Sequence, residues 1–191
     1  VILKGRRLKE HFTFNIFKCS LKGFKVNIKR SIFLHSEKVV TLFKQKKHKI
    51  MHENVTVTKR INARVEKVWK ALTDKAQMKD WYFDISDFDL GVHREFNFYE
   101  PGTEKKYHHH GEILEIVPNE KLKHTWTYPE FTKEKSIVKW ELEKDGEGTV
   151  VTLTHKGLEN FSHLGPDFQK ESFENGWNDI LGRSLKDYLE K

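Results

Sequence analysis

Cysteine is nearly absent: Cys19 is the only one in 191 residues. No disulfide can therefore close within the chain, and zinc sites built on several thiolates are excluded. Such cysteine usage reads as a reduced, cytoplasmic protein. Long apolar runs are absent too. None approaches the ~20 residues of a membrane-spanning helix, and no secretory signal with an apolar core and small-residue cleavage site is present. No membrane partner is expected.

Acidic residues are scarce in one part of the chain only. Residues 1–50 contain no Asp, Pro, Trp or Tyr. They hold 14 Lys+Arg against Glu10 and Glu37, a balance of +12, whereas residues 51–191 balance at −5. The overall +7 therefore belongs to a basic first segment joined to an acidic second one. A nucleic-acid arm would use such Lys and Arg on phosphates, and a presequence would be Arg- and Ser-rich rather than Lys-rich. The preferred reading is that 1–50 is a basic extension outside the functional domain, read from A/T-rich sequence upstream of a true start at Met51. The acidic balance of 51–191 argues against nucleic-acid binding by that part.

From Asn54 to Ile61 the chain alternates with period two and is rich in β-branched residues, which predicts a strand. Asn62 is placed to cap a helix carrying Val65, Val68, Trp69 and Leu72 at helical spacing, and Lys75–Trp81 reads as a second short helix. Strands follow at 85–88, 93–99, 107–117, 122–128, 136–143 and 149–155. Asp145-Gly146 between the last two is the strongest hairpin signal. Pro166-Asp167 opens a final helix of about 35 Å, Asp167 to Leu189, whose apolar stripe includes Phe168, Phe173, Trp177, Leu181, Leu185 and Leu189. Sequential antiparallel strands with a helix on one face make an α+β fold.

Several stretches in this order resemble the activator of heat-shock protein 90 ATPase (Aha-type) family of the START-like, or SRPBCC, superfamily. They are Val57–Ala63 and Val65–Asp74, then Trp81, Gly111–Pro118, Leu122, Thr125-Trp126, Gly148–Leu158, Gly176-Trp177 and Leu185–Leu189. The resemblance covers nearly all of 51–191 and none of 1–50. It implies a helix-grip (START/Bet v 1-like) fold, a curved antiparallel sheet of six to seven strands around the long C-terminal helix, with a cavity between them. Members of the superfamily bind lipids, hormones or polyketides there. The eukaryotic chaperone activator usually carries an additional N-terminal domain, which residues 1–50 do not resemble.

Strand parity assigns faces. Leu122, His124, Trp126 and Tyr128 fall together, as do Val138, Trp140 and Leu142, then Val151, Leu153 and His155, and Phe96 with Phe98. These faces are expected to meet Phe173, Trp177 and Leu181. The candidate ligand-binding set is Trp81, Phe96, Phe98, His110, Trp126, Tyr128, Trp140, His155, Phe173, Trp177 and Leu181. Against this stands the plainer reading that the aromatics only fill a core. His108-His109-His110 lacks a third ligand at recognised spacing, so no metal is assigned. His155 with Glu112 is a conceivable acid–base pair, but no nucleophile motif or phosphate loop accompanies it, and the reading leans away from catalysis. No cofactor is expected. The partner is a hydrophobic small molecule, with a chaperone as the alternative.

Overall fold

The computed structural model describes residues 54–100 and 106–191. The expectations placed on 1–50 lie outside the described residues.

Six strands form one antiparallel sheet: β1 (Val55–Ile61), β2 (Glu95–Tyr99), β3 (His108–Val117), β4 (Lys121–Trp126), β5 (Ser136–Asp145) and β6 (Gly148–Lys156). Their order across the sheet is β1-β6-β5-β4-β3-β2. After β1, helices α1 (Val65–Thr73) and α2 (Lys75–Trp81) carry the chain from one edge to the other. From there a meander returns it to β1. This is the expected curved sheet, with six strands.

The hairpin signal has its physical basis in Gly146. Its φ of 60° is a value that costs a glycine nothing, and it lets Asp145 pair with Gly148. At β3 a bulge between Ile113 and Glu115 bends the strand against β4. Asp74 ends α1 and caps α2, its carboxylate accepting from the backbone N–H groups of Ala76 and Gln77.

Three expectations are corrected. Asn62 does not cap α1. The cap position is Arg64, without a side-chain bond, and the Asn62 backbone N–H donates instead to Glu190 near the C-terminus. Residues 85–88 form a turn rather than a strand, closed by Phe88 N–H on the Ile85 carbonyl at 3.1 Å, and both side chains are buried. Two buried apolar residues three apart satisfy a turn as well as a strand.

The final helix is the third. It begins at Lys170, because Gln169 is extended and its amide donates to Ser162 and Gly165 carbonyls. Pro166–Phe168 is a separate 3₁₀ turn, after two others at Leu158–Asn160 and Ser162–Leu164. Helix α3 (Lys170–Asp179) then widens into a π-helical stretch, Ile180–Leu185, before α4 (Lys186–Leu189). Trp177, Leu181, Leu185 and Leu189 are all buried and spaced by four. In a pure α-helix each step of four overshoots a full turn by about 40°. The wider turns take back that excess and keep the stripe on the sheet.

Candidate functional site

The sheet's inner face is aromatic because of strand parity. Phe96 and Phe98 on β2 are buried, as are His109, Gly111 and Ile113 on β3. His124 and Trp126 on β4, Trp140 on β5 and His155 on β6 continue the wall. Gly111 is required: a Cβ there would meet the Phe96 ring at 2.4 Å. The glycine lets that ring lie flat across β3. Phe98 stacks on His109 with centroids 4.7 Å apart and planes within 3°.

Among the described residues, two spaces lie between this wall and the helices. The first is a closed chamber of about 20 Å³, bounded by Trp81, Tyr82, Phe96, His124 and Trp140 together with Leu72 and Ile113. It has room for about one water. The second is an open groove of about 160 Å³ beside α3, bounded by Phe83, Trp126, Tyr128, Phe173, Gly176 and Trp177, with Asp167 and Ser172 at its rim. A cavity of ~150 Å³ accommodates a single benzene-sized ring.

The histidines of the wall are used in different ways. His155 is fully buried, with both ring nitrogens engaged. Trp177 Nε1–H donates to Nδ1 at 3.0 Å, and Nε2 lies 2.7 Å from Ser136 Oγ, which is 3.1 Å from the Trp126 carbonyl. One assignment satisfies every atom: Nε2–H donates to Ser136, and Ser136 O–H donates to the carbonyl. Burial pushes His155 down to about 3, so it is neutral. It fixes the Trp177 indole and has no free nitrogen. His124 donates Nδ1–H to the Thr125 carbonyl at 2.9 Å and is pushed down to about 4 by burial.

His109 differs. Its Nδ1 has no hydrogen-bond partner among the described residues, and Nε2 lies 3.8 Å from a Glu100 carboxylate oxygen. Burial pushes it down to about 3. Trp126 is also buried, and its Nε1–H is closed off from solvent and makes no hydrogen bond of ordinary geometry among the described residues. Burial raises the Tyr128 phenol, and hydrogen bonding from the neighbouring Trp126 indole acts in the opposite direction.

At the rim, Asp167 accepts from Lys106 Nζ at 2.7 Å and from the Tyr107 hydroxyl. Lys106 and then Tyr107 hold its carboxyl below the usual range. This contact ties the 3₁₀ turn at Pro166 to the start of β3, beside Phe168, whose ring lies 5.2 Å from that of Tyr107.

The eleven candidates are thus divided. Trp81, Phe96 and Trp140 bound the closed chamber; Trp126, Tyr128, Phe173 and Trp177 bound the groove. Phe98 lies between, 5.3 Å from Trp126, and Leu181 is fully buried under the helix. His155 is inside but saturated. His110 is a correction: it points to the opposite face, 3.6 Å from Glu95, because His109 takes the inward position. Glu112 is a second correction. It is not on the strand next to His155; two strands intervene, and it pairs with His93 at 3.1 Å on the outer face. Tyr82, Phe83 and His109 were missed. Opposing His109 to Phe98 in the β2–β3 register would have found the last. Among the described residues no group of three His, Cys, Asp or Glu is close enough to hold a metal.

The family model described as "Activator of Hsp90 ATPase homolog 1-like protein" matches residues 62–190. No curated protein matches. DynU16, of the dynemicin biosynthetic locus, superposes with TM-score 0.61 at 22% identity, over 73% of this chain and 48% of its own; the present chain spans about half of that relative. MLL2253 from Mesorhizobium loti gives 0.60 at 24% identity, over 72% and 96%. The Aha1 dimer from Colwellia psychrerythraea gives 0.57 at 27% identity, over 72% and 96%. The first two likenesses speak to fold alone.

Proposed function

Since the chain belongs to the activator of Hsp90 ATPase homolog 1-like family, we propose that it works as a small helix-grip binding protein that takes a hydrophobic molecule between sheet and C-terminal helix. The observation that carries this reading is the open groove of about 160 Å³ walled by Phe83, Trp126, Tyr128, Phe173 and Trp177. Ligand sites are concave and mostly apolar, with a few polar groups for orientation. Here the polar groups come from Tyr128 on the wall and from Ser172 and Asp167 at the rim. His155 serves the site indirectly, by fixing Trp177. We take 51–191 as the functional unit and place it in the cytoplasm, in keeping with its cysteine usage.

The test is thermal melting of the full chain against a library of single-ring and larger hydrophobic compounds. A ligand at a hundred times its Kd stabilises by about 2.7 kcal/mol. A compound that raises Tm and quenches tryptophan fluorescence supports the reading. A flat screen on folded protein removes it.

A second reading, a module that binds and stimulates a heat-shock protein 90 type ATPase, draws on the family name and on Leu90 and Val92. These are 39% and 48% exposed in the loop that leads to edge strand β2. It predicts a faster chaperone ATPase when the chain is added; an unchanged rate at saturation sinks it.

A further inference from the structure

Gly176 is a glycine that neither the backbone nor the packing of the described residues requires. Gly146 and Gly157 stand at positive φ, and at Gly111 and Gly148 a Cβ would meet a neighbour at 2.4 and 2.8 Å. Those four positions exclude a larger residue. Gly176 lies within α3, its φ is not positive, and a Cβ there would meet nothing within 4 Å. A glycine inside a helix weakens it relative to alanine, so this one is a cost without a return in the fold. Its place is what distinguishes it. Gly176 is exposed on the border of the groove, between Ser172 and Ile180 and beside Phe173 and Trp177. Ser172, Gly176 and Ile180 are spaced by four, so this border runs about 12 Å along the helix. Its middle is bare backbone.

We propose that Gly176 sets the size limit of the groove, and that the ligand is a flat, uncharged aromatic molecule lying along α3 against the bare backbone at that residue. The inference rests on the hydrophobic-ligand reading above and names the ligand's shape and the residue that selects it. Glycine is the residue that lets a backbone come close to a ligand. A methyl group at 176 would stand in the open space that borders the groove and hold a flat ring off the helix. The ligand is flat and aromatic because the walls are rings: Phe83, Trp126, Tyr128, Phe173 and Trp177 offer faces and edges to another ring. It is uncharged because the charged group on the groove, Asp167, is already paired with Lys106 at 2.7 Å. A buried charge of either sign would find no free counter-ion on the wall. If Gly176 were only a solvated helix position, replacing it by alanine would change stability and nothing else.

The experiment titrates the full chain with benzene and with naphthalene, followed by protein NMR shifts, and repeats the titrations on Gly176→Ala and Gly176→Leu. Gly176→Ala should raise the Tm of the free chain by about 2–4 °C, because the helix gains. The same change should weaken naphthalene binding about tenfold and benzene binding less, since the smaller ring needs less of the border. Gly176→Leu should abolish naphthalene binding. Asn175→Ala, on an exposed neighbour outside the groove wall, is the control: it also favours the helix and should leave both affinities unchanged. In the unaltered chain, bound naphthalene should shift the Gly176 Hα signals by its ring current and show intermolecular NOEs to them. Unchanged naphthalene affinity in Gly176→Ala overturns the inference and leaves the hydrophobic-ligand reading standing. A lowered Tm in that variant overturns it likewise, since the fold would then require the glycine. No binding of either hydrocarbon to the unaltered chain removes both. Should a variant fail to fold, the NOEs to Gly176 in the unaltered chain decide the matter: their absence from the naphthalene complex overturns the inference.

Discussion

The closed chamber and the open groove are built from the same kinds of residue on the same sheet face, yet they are different objects. In the chamber, Trp81 and His124 each give a ring N–H to a backbone carbonyl, and the remaining space is about 20 Å³. In the groove, Trp126, Tyr128, Phe173 and Trp177 leave a space of about 160 Å³ open beside the helix. An aromatic wall is therefore not evidence of a site in itself. What separates core from site is whether room is left over.

The largest expected effect breaks the comparison at the chamber. Trp140→Ala removes a buried ring that packs edge-on to Trp177 at 5.8 Å. Urea melts should show a loss of about 3–5 kcal/mol. Phe173→Ala, at the half-buried groove wall, should cost only about 1–2 kcal/mol but weaken binding of a ring ligand severalfold. If the two variants lose stability equally and Phe173→Ala leaves binding intact, the division into core and site is wrong.

Acid should act on both regions. His109, His124 and His155 are buried and neutral, held at about 3, 4 and 3 by desolvation. In the unfolded chain each titrates near 6.5. As pH falls below that value the unfolded state takes up protons that the folded state refuses, so stability declines from about pH 6.5 down to the folded values. Where all three act, the slope approaches about 4 kcal/mol per pH unit. Tm measured from pH 7 to 4 should fall steeply, and His109→Phe should make the fall shallower by about one proton. An unchanged slope would mean that His109 takes a proton in the folded state.

The inner faces were legible in the sequence because alternation is local. Parity alone grouped Leu122, His124, Trp126 and Tyr128, and Val138, Trp140 and Leu142, as the folded sheet does. The Asp145-Gly146 turn was legible for the same reason. The choice between His109 and His110 was not, since a strand of three histidines alternates whichever face is inward. Only the pairing of Phe98 with His109 and the flat ring over Gly111 decide it. The start of the last helix was hidden because Gln169 is an ordinary helix former. Its extended backbone is set by amide bonds to Ser162 and Gly165 carbonyls, a tertiary detail. The chamber and the groove could not be told apart beforehand, because unfilled volume is a property of packing and not of residue type.

The smallest effect concerns the rim, where the groove meets solvent. Asp167 is exposed and its bonds to Lys106 and Tyr107 are screened, so Asp167→Asn should move Tm less than either change above. Its consequence should appear in kinetics instead. The contact ties the 3₁₀ turn ahead of α3 to β3 at the groove's entrance, so loosening it should speed both association and release of a ring ligand while Kd changes little. The pH dependence has a definite sign. Lys106 and Tyr107 hold the Asp167 carboxyl below its ordinary value near 3.9, so the contact persists through neutral and mildly acid pH and is lost only as pH falls through that lowered value. The kinetic difference between Asp167→Asn and the unaltered chain should thus be constant from pH 7 to 5 in stopped-flow fluorescence. A difference that fades already near pH 6 would show that a histidine, not the carboxylate, controls the entrance.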